Sequence, residues 1–293
     1  MPRATLLSFG HGYSAQALAR RLTARGWRVI GTTRSEGKAA LIRETGAEAL
    51  VWPGAALGPA LDAATHLMVS AGPDAAGDPV LAAAGEAIRA RATQFEWVGY
   101  LSTTGVYGDR GGDWVDEGSE CRPSTRRGQW RLEAEQAWQR LHREAGLPLH
   151  IFRLAGIYGP GRGPFAKVRD GTARRIVKPG QVFSRIHVED IASVLEASIA
   201  RPRPGAVYNV CDDEAAPPED VIAHAAELLG LPLPEAVAYD EAEMTPMARS
   251  FYAESKRVAN GLMHEELGVE LAYPTYREGL AALLAEELAR AKA

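Results

Sequence analysis

The sequence contains few cysteines, few lysines and no long apolar run. Its two cysteines, Cys121 and Cys211, lack metal-ligand spacing and suit a reducing compartment, so no metal site is expected. With a net charge of -4, the chain shows no electrostatic signature of nucleic-acid binding. No stretch approaches the roughly 18 to 20 apolar residues of a membrane span, and the N-terminal residues lack a signal-peptide core. We therefore expect a soluble, cytoplasmic protein with no nucleic-acid or membrane partner.

Short apolar runs alternate with helical patterns through the first half of the chain. The patterns predict strands at 5–9, 27–33, 47–52, 66–72, 97–103 and 149–156, and helices at 14–25, 36–46, 78–93 and around 126–135. This β-α-β-α order predicts the α/β class, with a Rossmann-type, doubly wound parallel sheet covered by helices on both faces.

The rhythm changes after about residue 156, where glycine and proline cluster in GIYGPGRGP. A strand and helix return in RIHVEDIASVLEASIA, and the chain ends in an alanine-rich helix. At 293 residues, the chain suggests one large unit with a smaller, interleaved C-terminal part. We assign residues 1–154 and 186–210 to a dinucleotide-binding domain, and residues 155–185 and 211–293 to a substrate-binding part.

The segment GHGYSA, between the first strand and the first helix, fits the pattern G-x-G-x-x-G/A. Its glycines allow a tight turn and close approach of a pyrophosphate, which binds the N–H groups at the helix N-terminus. A plain structural turn is the alternative, but the position after the first strand favours a dinucleotide site. The predicted cofactor-binding residues here are Gly10, His11, Gly12, Tyr13 and Ser14.

The end of the second strand bears on the choice of cofactor. An NAD site usually places an acidic residue there to bind the ribose 2′-OH, whereas this strand ends in Thr33 and Arg34. Because a guanidinium attracts a 2′-phosphate, NADP is favoured over NAD. NAD stays open, since Glu36 could serve the ribose hydroxyls.

Four further segments occur in an order that resembles a known family. LSTTGVYGD, RLAGIYGPGR, SRIHVEDIA and AVYNVCDDE are similar to segments of the extended short-chain dehydrogenase/reductases, the NAD-dependent epimerase/dehydratase family. The glycine pattern and the arginine after the second strand look more like the family's atypical branch. The resemblance implies a nicotinamide cofactor and does not identify a substrate.

The resemblance assigns roles to several positions. Thr103 falls where the family places a catalytic hydroxyl that binds a substrate carbonyl or carbinol, with a plain strand-end threonine as the alternative. Thr104 and Gly105 replace the acidic pair of dehydratases, so dehydration is not expected. Tyr107 is a second catalytic candidate, although it is expected more as a site wall than as a proton donor. Further cofactor contacts are expected at Ser70, Ala71, Gly72, Leu154, Ala155 and Ile157.

The Tyr-x-x-x-Lys pair of the family has no counterpart at the start of the mid-chain helix. When RGQWRLEAE is aligned on Glu135, Arg127 stands at the tyrosine position and Arg131 at the lysine position. Arg131 could still bind the nicotinamide ribose, but Arg127 has no proton to exchange at neutral pH and would instead hold a carboxylate or phosphate. The literal Y-x-x-x-K at Tyr252 and Lys256 lies far from the expected position, and we interpret it as a chance match.

Two kinds of function remain open. The first is an NADP-dependent oxidoreductase or epimerase, with Tyr107, Tyr158, His187 or water as proton donor. The second is a non-catalytic NADP-binding sensor or regulator, and another Rossmann ligand such as S-adenosylmethionine is a minor alternative. Arginines suggest an anionic small-molecule substrate, and a homodimer is expected by analogy. The predicted substrate contacts are Arg127, Arg162 and His187, and Arg185 is also expected near the site. His187 and Asp190 are expected mainly to fix the loop of the substrate-binding part.

Overall fold

Alternate residues of the buried strands face opposite layers of helices. In the computed structural model, which describes residues 4–292, Leu6 packs in one apolar cluster and the next residue, Leu7, in another. The strands, in chain order, are β1 (Thr5–Phe9), β2 (Arg28–Thr33), β3 (Glu48–Val51), β4 (His66–Val69), β5 (Trp97–Thr103), β6 (Trp114–Val115), β7 (Leu149–Leu154), β8 (Gly156–Tyr158), β9 (Arg175–Val177), β10 (Arg185–His187), β11 (Val207–Val210), β12 (Ala236–Ala238) and β13 (Arg257–Val258).

The helices connect these strands and cover the sheet. They are α1 (Tyr13–Ala24), α2 (Glu36–Arg43), α3 (Gly58–Ala63), α4 (Pro79–Arg89), α5 (Arg126–Ala145), α6 (Phe165–Arg169), α7 (Val188–Ala200), α8 (Pro218–Leu228), α9 (Pro246–Phe251), α10 (Gly261–Leu267) and α11 (Tyr276–Lys292), with 3₁₀ turns at Ala92–Gln94 and Thr104–Tyr107. None of the helices in the described range is long and apolar enough to cross a membrane.

Seven strands form a central sheet in the order β3-β2-β1-β4-β5-β7-β11, and every neighbouring pair is parallel. The apolar cluster on one face includes residues of α1 and α7, and the cluster on the other includes residues of α3, α4 and α5. The predicted doubly wound Rossmann-type fold is thereby confirmed. The strand order reverses between β1 and β4, which is where such sheets bind ligands at the carboxyl ends of their strands.

A third apolar cluster lies outside the central sheet. It joins Phe165 and Val168 of α6 to Val221 of α8 and Leu280 of α11, so the two segments assigned to the substrate-binding part pack on each other. Residues 257–267 behave differently, because Val258, Met263 and Leu267 pack in the cluster of α1 and α7. The C-terminal segment therefore contributes both to the third cluster and to the cluster of α1 and α7 on the central sheet.

Candidate functional site

The glycine turn after β1 leaves the start of α1 open. Gly10 has a φ of +75°, and a Cβ there would lie 2.7 Å from the Ala71 nitrogen, so the turn requires glycine at this position. Gly12 is the N-cap of α1 and supplies no capping side chain. Since the first N–H groups of a helix have no intrahelical acceptor, the amides at Tyr13 and Ser14 form an anion-binding end.

The segment Ser70–Gly72 lies against this turn at the end of β4. The amides of Ser70 and Ala71 donate to the Phe9 carbonyl at 2.9 and 3.2 Å, and the Ser70 hydroxyl donates to the Gly10 carbonyl. A Cβ on Gly72 would lie 3.3 Å from a guanidinium nitrogen of Arg131. The sheet therefore brings together the predicted cofactor contacts that follow β1 and β4.

Arg131 reaches the end of β5 from the second turn of α5. Its Nη1 donates to the Leu101 carbonyl at 2.8 Å and to the Tyr100 hydroxyl at 3.3 Å. The guanidinium carbon lies 5.7 Å from the centre of the Tyr100 ring. These contacts hold a positive charge beside Gly72, which is the place expected for a group that contacts the nicotinamide ribose.

Arg34 directly follows β2, and the His11 ring packs against the Gly31 backbone within that strand. Arg34 is exposed and, within the part of the chain that the structure describes, makes no hydrogen bond or ion pair. The His11 imidazole is 6% exposed and packs on Gly31, and neither ring nitrogen has a hydrogen-bond partner in residues 4–292. Burial lowers the pKa of His11 to about 4, so the ring is neutral at physiological pH.

Thr103 ends β5 and is partly exposed. Its hydroxyl oxygen accepts a hydrogen bond from the Gly105 amide at 3.1 Å, which leaves the hydroxyl hydrogen free to donate to a ligand. Thr103 pairs in register with Leu154 of β7, and Ala155 and Ile157 follow at the same edge of the sheet. The three predicted nicotinamide neighbours therefore lie beside the predicted catalytic hydroxyl.

Tyr107 occupies a buried network rather than the open site. Its side chain is fully buried, its hydroxyl donates to Asn209 Oδ1 at 2.7 Å, and it accepts from Arg153 Nη1 at 3.0 Å. Burial raises its pKa to about 12. With both hydrogen-bonding functions engaged, this geometry argues against the catalytic role predicted for Tyr107, including proton transfer.

His187 is also placed away from solvent. It is 1% exposed, and its Nδ1 accepts from the Glu189 amide at 3.3 Å as the N-cap of α7. Its ring centre lies 4.0 Å from that of Tyr273, and burial lowers its pKa to about 4. The neighbouring Asp190 accepts from the amides of Ala272 and Tyr273 at 2.8 and 3.1 Å. This anchoring argues against the predicted contact of His187 with substrate.

The segment after β8 reaches back over the glycine turn. Gly159 and Arg162 exchange two backbone hydrogen bonds, of 3.0 and 2.9 Å, and the Tyr13 hydroxyl donates to the Pro160 carbonyl at 3.0 Å. The exposed guanidinium of Arg162 lies 5.9 Å from the centre of the Tyr13 ring. Arg162 is therefore held beside the glycine turn, whereas Tyr158 is buried and donates to the Thr275 carbonyl at 3.4 Å.

Arg127 lies in the first turn of α5 and is exposed, without a hydrogen-bond or ion-pair partner among residues 4–292.

The lysine of the literal Y-x-x-x-K segment, Lys256, is engaged in hydrogen bonds. Lys256 donates to the Gly108 carbonyl at 2.8 Å and to Glu254 at 2.7 Å, and Ser124 donates to the other oxygen of Glu254 at 2.6 Å. Lys256 therefore joins the C-terminal segment to the loop before α5.

Sequence reasoning missed a buried ion pair that fixes the inner face of α5. Glu135 is 1% exposed and accepts from Arg153 at 2.8 Å and from the Ser102 hydroxyl. In the sequence, Glu135 served only to align the helix with the family pattern, and Arg153 appeared only as part of RLAGIYGPGR. The pair connects α5 to β5 and β7, so it positions Arg131 relative to Thr103.

Among the residues described, no group of three potential ligands could hold a metal ion.

A Rossmann-type sheet with an open glycine turn at its switch point defines a dinucleotide-binding class of protein, and comparisons with known proteins give the family. The model of the NAD dependent epimerase/dehydratase family matches residues 81–211. Protein YeeZ of Escherichia coli K12 is 30% identical over 278 residues, which cover 90% of this chain and 94% of that protein. The chain belongs to the NAD-dependent epimerase/dehydratase family.

Solved structures agree with the fold. The structure of a functionally unknown conserved protein from Silicibacter pomeroyi DSS is 63% identical, with a TM-score of 0.92 over 97% of this chain and 99% of that one. UDP-glucuronic acid 4-epimerase from Bacillus cereus, in complex with UDP-glucuronic acid and NAD, is 15% identical, with a TM-score of 0.78 over 97% of this chain and 99% of that one. The latter likeness concerns the fold alone.

Proposed function

We propose that the chain binds NADP(H) and transfers a hydride to or from a carbonyl or carbinol group of an anionic, sugar-nucleotide-like substrate. The observation that carries this proposal is the open amide end of α1, which faces Ser70–Gly72 and Arg131 at the switch point of the sheet. The Bacillus cereus epimerase of the same fold, solved with NAD, supports a nicotinamide cofactor.

The residues around the turn fit a dinucleotide. The glycines let a pyrophosphate approach the amides of Tyr13 and Ser14, and Arg131 offers a donor to a ribose beside Gly72. Arg34 is exposed and unpaired among residues 4–292, so its guanidinium is available to a 2′-phosphate. This is the reason that NADP is preferred over NAD in the proposal. When bound, the nicotinamide supplies or accepts the hydride.

The protein's own contribution to the reaction is to orient and polarise the substrate. Within residues 4–292 the Thr103 hydroxyl accepts from the Gly105 amide and its O–H has no acceptor, so the O–H can donate to the substrate oxygen. Arg127 and Arg162 are exposed guanidinium groups that can bind a carboxylate or phosphate. Neither exchanges a proton at neutral pH, so neither can be the proton donor, and water is the candidate that we retain.

A second candidate is a binding protein without catalysis. It is favoured by the hydrogen bonds that engage the hydroxyls of Tyr107 and Tyr158 and by the burial of His187, because these are the side chains predicted as proton donors. Arg127, which stands at the family's tyrosine position, also favours a protein without catalysis. In that case the chain would bind NADP and signal its redox state through a protein partner.

Replacing Arg34 tests the cofactor. We expect Arg34→Ala to weaken NADPH binding about tenfold or more while leaving NADH binding unchanged, since only NADPH carries the 2′-phosphate. Titration calorimetry measures both affinities. Arg43→Ala, at an exposed arginine in the last turn of α2, is the matched control and should change neither. Equal affinities of the wild-type chain for NADPH and NADH would contradict the NADP preference.

Replacing Thr103 tests catalysis. A panel of anionic carbonyl compounds, followed by NADPH absorbance, should reveal turnover that falls about a hundredfold in Thr103→Ala, because one preorganised donor is lost. Thr103→Ser, which keeps the hydroxyl, should restore most of it. Turnover that is insensitive to Thr103→Ala would remove this residue from the mechanism. NADPH binding without turnover of any panel member would favour the binding protein.

A further inference from the structure

Arg185 of β10 is a partly buried cation that lacks an ion-pair partner among residues 4–292. Its Nη1 donates to the carbonyls of Phe183 and Ala216 at 2.8 and 3.0 Å, and its other N–H groups make no hydrogen bond in the described part of the chain. Burial lowers its pKa from the usual value, which reflects the cost of a charge removed from water. The remaining N–H groups of this partly buried guanidinium are available to bind an anion from outside the chain.

Two carboxyl groups, those of Asp212 and Glu219, interact electrostatically with Arg185 but form no ion pair with it among residues 4–292. Asp212 follows β11 and is 2% exposed; its amide donates to the Arg185 carbonyl at 2.7 Å, yet neither carboxyl oxygen makes a hydrogen bond or ion pair within residues 4–292. Burial raises the pKa of Asp212 to about 8 and also raises the pKa of Glu219. Asp212 is therefore mostly protonated at neutral pH and can donate a hydrogen bond.

Tyrosine hydroxyls complete the surroundings of the guanidinium. The Tyr252 ring lies 5.6 Å from the Phe183 ring, over which the Arg185 guanidinium also lies at 5.9 Å. Within residues 4–292 the hydroxyls of Tyr252 and Tyr276 make no hydrogen bond. The titratable groups in electrostatic contact with Arg185 are Tyr158 (β8), Asp212 (after β11), Glu219 (α8), Tyr252 (after α9) and Tyr276 (α11).

We propose that Arg185, the carboxyl group of Asp212 and the hydroxyl of Tyr252 form a subsite for an anionic group of the substrate, either a carboxylate or a phosphate. This inference rests on the proposed function, since it locates the anion of that substrate in the part of the molecule outside the central sheet. All three groups are hydrogen-bond donors when Asp212 is protonated, and an anion bonded to Arg185 would pair its charge.

The same geometry predicts how binding depends on pH. Above about pH 8 Asp212 loses its proton, and its carboxylate then repels the anion and competes with it for Arg185. Affinity for the anion should fall as pH rises through this range, whereas a site made of arginine alone would be insensitive to pH there.

The test is titration calorimetry of the full chain with three probes: inorganic phosphate, glucuronate as the carboxylate, and glucose as the neutral control. We expect phosphate or glucuronate to bind and glucose not to, and the anion that binds identifies the chemical source. Arg185→Gln should lower that affinity about ten- to a hundredfold, because a charged hydrogen-bonded pair is lost. Arg174→Gln, at an exposed arginine outside the central sheet, is the matched control and should change nothing.

Asp212→Asn keeps the shape and a donor but cannot ionise. It should bind the anion as the wild type does at neutral pH and lose the decline above about pH 8. If Arg185→Gln fails to fold, this pH profile together with Arg185→Lys still tests the site. Failure of both anions to bind, or tighter binding by Asp212→Asn at neutral pH, would overturn the proposal. NADPH binding, measured on the same variants, reports separately on the proposed function and should be unchanged.

Discussion

At the scale of single residues, Gly31 shows how an absent side chain shapes the cofactor turn. A Cβ at this position would lie 2.5 Å from Cγ and 2.7 Å from Nδ1 of His11. Gly31→Ala must therefore displace the imidazole and, with it, the turn from Gly10 to Gly12. We expect about tenfold weaker NADPH binding, measured by calorimetry, with a loss of about 1 to 3 kcal/mol in the free energy of unfolding.

A second substitution separates the local clash from a general defect. His11→Ala in the Gly31→Ala background removes the clashing ring and should recover part of the lost affinity. Gly85→Ala provides a control in the middle of α4, where an added Cβ would meet only Leu81 at an ordinary 3.8 Å. That variant should bind NADPH normally and gain stability. Unchanged affinity in Gly31→Ala would show that the turn does not depend on this contact.

At the scale of elements, the sequence predicted those strands that are encoded by a local run of apolar residues. The strands at residues 5–9 and 97–103 occur at the predicted bounds, because each is a buried apolar run with a clear end. The paired strands β6 and β13 escaped prediction, since each has two residues and gains its hydrogen bonds from a partner about 140 residues away. A short segment of this kind carries no period that could be read locally.

The same limit applies to the candidate site. The turn at Gly10–Ser14 was predictable because its function needs neighbouring residues in one order. The contacts of Tyr107 with Arg153 and Asn209 were not, because they join β7, β11 and the turn after β5. Whether a tyrosine faces a cleft or a buried guanidinium depends on the packing of three distant segments. The prediction that α5 forms a wall of the site followed from alignment, whereas the ion pair that anchors α5, between Glu135 and Arg153, required the structure.

At the scale of the whole molecule, buried histidines make stability depend on pH. Burial lowers the pKa of four histidines to about 4; they are His11, His66, His150 and His187. In an unfolded chain a histidine has a pKa of about 6.5, so between about pH 6.5 and 4 the unfolded state binds more protons. Stability from these groups is therefore complete above about pH 6.5 and is lost as pH falls toward 4.

Asp212 acts in the opposite direction over the same range, because its raised pKa of about 8 lets the folded chain keep a proton that the unfolded chain releases. For the four histidines and Asp212 alone, the difference approaches three protons near pH 5, which corresponds to a loss of up to about 4 kcal/mol in unfolding free energy per pH unit. Urea unfolding at about pH 7, 6 and 5 measures this slope. His66→Gln should reduce it by one proton, about 1.4 kcal/mol per pH unit, while leaving the fold intact. A slope near zero would mean that the histidines protonate without unfolding, and so that their burial is relieved by local opening of the layers around the sheet.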